Sequence, residues 1–205
     1  MIAFQGIDSI IVSQTIGLEE VALLGMVQRM FQFVSQPVAI ASGPLWPAYA
    51  DAFVRRDVAF IRVTLRRSFS LALMILLPMT LVMILAGPTL VDVWSHGKIS
   101  VPLTLLLAYA GWAVLEAMSG VLAMYLNGCN IVKPQVVVTL IMIICVIPAK
   151  WYGCAVGGLS GMVFSATAVA AILLFLGYGI LYRRDLMRPL GGSETVEDAK
   201  AACAR

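Results

Sequence analysis

Charge is what this sequence has least of. Asp, Glu, Lys and Arg make up 12% of its 205 residues, where a soluble domain carries about 25%. With 61% hydrophobic residues and a mean hydropathy of +0.96, the chain lacks the polar surface that would cover a globule in water. The bilayer is its expected solvent. Histidine is nearly absent: His96 stands alone, and a single histidine in a turn reads as solvated. The cysteines at 129, 145, 154 and 203 form no CxxC spacing and have no histidine partner, so they supply no metal or redox framework and read as small apolar fillers. There is no nucleophile with a base nearby, no DxD-like acidic pair and no glycine-rich phosphate loop, so neither an enzyme nor a cofactor is expected. The net charge of +3 is scattered between apolar stretches and forms no patch for nucleic acid. The opening MIAFQGIDSIIVSQTIG has neither the basic region nor the small-residue cleavage site of a signal peptide.

What the sequence does have is long apolar segments. Five run at about 21–43, 69–91, 101–126, 135–155 and 157–182. Each approaches the roughly 20 residues a helix needs to cross the hydrocarbon core. Residues 1–16 read as the last part of a further span. The expected fold is therefore all-α and membrane-embedded, with five full transmembrane helices and one truncated N-terminal helix over 1–188. The segment 189–205 is small and polar and is expected to be a disordered cytoplasmic tail.

Basic residues assign the sides. Arg55, Arg56, Arg62, Arg66 and Arg67 fall between two spans, Lys133 in a later turn, and Arg183, Arg184 and Arg188 after the last span. Alternating spans put all of them at one face, and short basic loops favour the cytoplasm. The opposite side receives Lys98 and Lys150, with the turns at 92–100 and 150–157 facing outward. The stretch SGPLWPAYADAFVRRD, at 42–57, then marks the cytoplasmic exit of a helix. Pro44 and Pro47 disfavour its continuation. Trp46 and Tyr49 suit the headgroup level, and Arg55, Arg56, Arg66 and Arg67 suit anionic lipid headgroups.

Polar side chains at membrane depth are expensive and carry the functional expectations. Gln28, Arg29, Gln32, Ser35 and Gln36 recur at three- and four-residue spacing, a stripe that faces other helices or a water-filled cavity. A guanidinium needs water or an anion, so Arg29 is expected at a cavity. Tyr109, Trp112, Glu116, Ser119 and Gly120 form a second such stripe. Its acid, flanked by aromatics, would bind a cation, take up a proton or meet sugar hydroxyls; an Arg29–Glu116 ion pair that only fixes packing is the plainer reading. Asp8 is a further candidate. Pro78 and Pro88 would kink their span, and Gly157, Gly158 and Gly161 suit close helix packing.

Asp8 near a span end, Gly17 in the following turn, PLWPAYADA at 44–52, Arg56-Asp57, GPTLVDVW at 87–94 and LNGCNIVKPQ at 126–135 occur in an order that resembles the polysaccharide biosynthesis and O-antigen flippase family. That family belongs to the multidrug/oligosaccharidyl-lipid/polysaccharide exporter superfamily. The resemblance covers about residues 5–188. It implies one C-terminal lobe of a two-lobe, twelve-helix transporter in a bacterial inner membrane, working by alternating access on a lipid-linked oligosaccharide. Its partners would be that lipid, the surrounding membrane lipids, and an N-terminal lobe in cis or a second protomer. By the same resemblance, Arg29, Gln28, Gln32, Gln36, Tyr109 and Trp112 would bind substrate, and Glu116 and Asp8 would handle a coupling ion or proton. The alternatives are a lobe of a multidrug/cation antiporter, which an acid-rich cavity would favour, and a membrane assembly subunit without transport.

Overall fold

The computed structural model describes residues 2–97 and 100–181. These form six helices: α1 (Ile2–Thr15), α2 (Leu18–Ser42), α3 (Leu45–Val54), α4 (Val58–Ser95), α5 (Leu103–Gly128) and α6 (Val132–Leu181). No strand occurs among the described residues. The tail 189–205 and Arg183, Arg184 and Arg188 lie outside them.

Local sequence accounts for the breaks. Gly17 turns α1 into α2 at φ 133°, a value that glycine reaches without a Cβ clash. Pro44 opens α3. Asp57 caps α4, its carboxylate accepting from the Phe60 amide at 2.9 Å, which satisfies one of the unpaired first-turn donors. His96 closes α4 in the left-handed region and is exposed.

The 50-residue α6 would extend about 75 Å if straight. It folds back instead. Gly157 and Gly158 leave helical geometry, and the segments on either side pack antiparallel. Ser165 donates to the Ala149 carbonyl at 2.7 Å, Gly153 abuts Gly161, and Gly177 abuts Val138. Residues 132–156 and 159–181 are thus the two arms of a hairpin.

α5 is the hub, in contact with α2, α3, α4 and α6. Leu24, Val27 and Val34 of α2, Leu76 of α4, and Leu105, Leu106 and Val121 of α5 are fully or almost fully buried around it. Large apolar side chains such as Met74, Leu85, Ile144 and Phe175 remain on the outside, where a lipid tail is an adequate neighbour. α4, α5 and α6 are long and apolar enough to cross a membrane. α2 has the length, 25 residues, but Gln28, Arg29, Gln32 and Gln36 interrupt its apolar run.

Contacts fix which turns share an end of the bundle. Thr15 touches Cys154, and Thr104 touches Ser160. The Gly17 turn, the start of α5 and the turn of α6 therefore lie together. At the other end α3 packs beneath the end of α5: the ring of Tyr49 meets that of Tyr125 edge-on at 5.6 Å, and a Cβ on Gly128 would stand 2.6 Å from the Cβ of Tyr49.

Three sequence expectations need correction. Tyr49 is no headgroup anchor; it is completely buried, because α3 lies flat against α5 and turns this ring inward while Trp46 stays exposed. The basic segment expected as a loop through 67 is helical from Val58 onward, since Asp57 caps it and arginine is a good helix former. Lys150 does not occupy an outward turn; it sits within α6 and is 4% exposed.

Candidate substrate cavity

A cavity of ≈ 230 Å³ opens between α1, α2, α5 and α6. Four helices contribute its polar groups, each through helical spacing. α2 turns Gln28 and Gln32 into it, and α5 turns Tyr109, Trp112, Glu116 and Ser119 into it. α1 brings Asp8, and the first arm of α6 brings Lys150. Apolar side chains, including Phe31, Met142 and Met162, complete the wall. Phe31 and Tyr109 stack at 5.9 Å with their planes 20° apart, which ties α2 to α5 at the cavity edge.

Asp8 is the most heavily engaged group. Lys150 Nζ donates to its Oδ1 in a buried ion pair, and Gln28 Nε2 donates to its Oδ2 at 3.3 Å. The Lys150 ammonium also lies 5.5 Å from the centre of the Trp112 ring, a cation–π distance. Buried charges persist when paired and hydrogen-bonded, and this lysine has both kinds of support. Glu116 is only partly buried, and no ion pair among the described residues engages it.

Of the residues expected to bind substrate, Gln28, Gln32, Tyr109 and Trp112 come together at the cavity, as do Glu116 and Asp8. Arg29 and Gln36 do not line it and are exposed on α2. At about 100° per residue, they lie roughly 100° and 80° around the helix from Gln28. The stripe is that wide, and the cavity takes one edge of it. No ion pair joins Arg29 to Glu116 among the described residues; Glu116's cavity holds Lys150 instead. Arg55, Arg56, Arg66 and Arg67 are exposed at the α3–α4 corner, where Arg55 pairs with Asp51 at 3.0 Å. Sequence reasoning missed Lys150 as a site residue. The available signal was its position: a lysine flanked by VIPA and WYGCA has too little polar company to be a loop. Among the described residues, no three His, Cys, Asp or Glu side chains cluster as metal ligands.

A multi-pass helical bundle that encloses a polar, charged cavity at membrane depth is the architecture of a membrane transporter. The family model MatE matches residues 1–152, and the chain belongs to this family of membrane exporters, within the multidrug/oligosaccharidyl-lipid/polysaccharide exporter superfamily. Searches of the curated proteins and of the solved structures find no significant match.

Proposed function

We propose that the chain forms one lobe of an exporter for cationic amphipathic molecules, with Glu116 as the group that exchanges cargo for a coupling proton or cation. The charge count of the cavity carries this reading. Among the described residues its lining holds two carboxylates, Asp8 and Glu116, and one ammonium, Lys150, which Asp8 already engages. Within that set one negative charge, Glu116, is left over, one helical turn from Trp112. A carboxylate next to an aromatic face suits a cation with apolar substituents. Alternating access needs a second lobe, supplied in cis or by another protomer. The basic 55–67 end faces the cytoplasm of a bacterial inner membrane, and the C-terminus lies on that side.

The test is uptake of a fluorescent cationic dye into inverted membrane vesicles. Glu116→Gln is expected to abolish it and Glu116→Asp to retain part of it. Full activity of Glu116→Gln at normal protein level would rule the reading out.

A second reading is the translocation of a lipid-linked oligosaccharide. Gln28, Gln32 and Trp112 share the cavity and offer amides for sugar hydroxyls and a ring for a sugar face. Arg29, exposed on α2, would meet phosphate in the cleft towards the second lobe. Under this reading Arg29→Gln abolishes surface-polysaccharide export; normal export with normal protein level sinks it.

A further inference from the structure

Asp8 and Thr15 are among the side chains that tie α1 to its neighbours. Asp8 divides its carboxylate, one oxygen accepting from Lys150 on α6 and the other from Gln28 on α2. Thr15, about two turns further along, meets Cys154 Sγ on α6 at 3.0 Å. Asp8 and Lys150 both line the cavity, so a ligand inside it reaches the pair without crossing packed protein. The ammonium also has a second acid in the same cavity. It lies 5.5 Å from the Trp112 ring, and Glu116 stands one turn along α5 from Trp112, on the same face.

From this arrangement we propose that Lys150 is a tethered cation shared between two acids: it holds Asp8 while the cavity is empty, and a cationic ligand displaces it from Asp8 towards Glu116, releasing α1 from α6. The inference rests on the reading of the cavity as cation-accepting; it moves the bound cation's seat from Glu116 to Asp8, with Glu116 taking the displaced ammonium, and adds what that cation does to the fold. Breaking a buried ion pair is costly because it strands a charge. A monovalent cation at Asp8 strands none, since it replaces the ammonium there and the displaced ammonium finds Glu116. An uncharged ligand of the same shape offers no such exchange; with the ammonium at Glu116 it would leave the buried Asp8 carboxylate without a counterion. Discrimination against neutral molecules therefore comes from Lys150 and not from the size of the cavity. A ligand that favours the displaced arrangement shifts the population towards it.

The neighbouring pair Thr15 and Cys154 supplies the reporter. Thr15→Cys is introduced beside the native Cys154, with the cysteines at 129, 145 and 203 replaced by serine. Copper-phenanthroline then drives disulfide formation in membrane vesicles. The cross-link should form readily without added cation, and saturating tetraethylammonium should slow it roughly tenfold. The uncharged isostere 3,3-diethylpentane should leave the rate unchanged. Adding Asp8→Asn together with Lys150→Met, a neutral pair that strands no charge but lacks the tie, should slow the cation-free cross-link towards the rate the parent shows with tetraethylammonium and make it insensitive to that cation. A parent rate that tetraethylammonium does not change, a neutral-pair variant that cross-links as fast as the cation-free parent, or one that tetraethylammonium slows as much as it slows the parent, overturns the proposal. Dye export that requires Glu116 together with a cation-insensitive cross-link overturns the tethered cation and leaves the export reading standing. A cation-sensitive cross-link without dye export does the reverse.

Discussion

Gly153 and Gly161 lie back to back across the turn of α6, with the Gly161 carbonyl in the space that a side chain on Gly153 would fill. The contact draws the two arms together and brings Ser165 to the Ala149 carbonyl. Lys150, one turn before Gly153, is thereby held at the cavity. Small residues at such a crossing are how helices pack closely where lipid gives no hydrophobic drive. Gly153→Leu should force the arms apart and cost about 1–3 kcal/mol or more, the usual penalty of overpacking. Thermal unfolding of the purified protein reads this, and Leu159→Ile, in the same hairpin but conserving volume, should change little.

Gly128 plays the same part at the other end. A Cβ there would stand 2.6 Å from the Cβ of Tyr49 and 2.9 Å from the Trp46 carbonyl, so Gly128→Ala should lift α3 off α5. Limited trypsin digestion after the exposed Arg55 and Arg56 should become faster. Cleavage at the parental rate would show that α3 is not held by this contact.

The Asp8–Lys150 pair should behave as a coupled unit in stability. Asp8→Asn takes away the buried ammonium's counterion and is expected to cost up to about 3–5 kcal/mol, less what a contact with Glu116 restores. Adding Lys150→Met should recover much of that loss, because no charge is then stranded. A double-mutant cycle on unfolding free energy measures the coupling; additive single effects would contradict the ion pair.

Cys129, just beyond α5, is 2% exposed, and burial pushes its thiol up to about 11. The thiolate is the reactive form. At pH 8 its population should be about a hundredfold or more below that of an ordinary cysteine of pKa near 8.5. Labelling by a charged methanethiosulfonate should therefore be slow at pH 8 and accelerate as pH rises towards 11. The experiment uses a variant that keeps Cys129 and carries serine at the other three positions. Fast labelling at pH 7 would contradict the buried, protonated thiol.

The exposed arginines at the α3–α4 corner should favour anionic lipid. Arg66→Gln with Arg67→Gln should reduce the stabilisation gained on moving from neutral to anionic nanodiscs by about 1 kcal/mol per residue. The difference should shrink as salt screens the surface. An unchanged lipid preference would remove these residues from headgroup contact.

Much of this was readable in one dimension because the bilayer simplifies the problem. A chain with 12% charged residues has few folds open to it in lipid, and backbone polar groups must be satisfied within helices. The all-helical class followed directly. The three-and-four spacing on α2 and α5 placed Gln28, Gln32, Tyr109, Trp112 and Glu116 on common faces, because helical periodicity is a local property. Gly157 and Gly158, read from the sequence as close-packing residues, are where α6 leaves helical geometry and turns. Tertiary structure alone decided the rest. Whether Arg29 or Gln28 edges the cavity depends on a rotation of α2 that its neighbours set. Tyr49 looks like an interfacial aromatic until Gly128 makes room for it. Lys150 lies 142 residues from Asp8, and a charge reads as a loop residue until its counterion is known. Local spacing determines which side chains share a face; packing between distant helices determines what that face meets, and the cost of a buried charge is settled there.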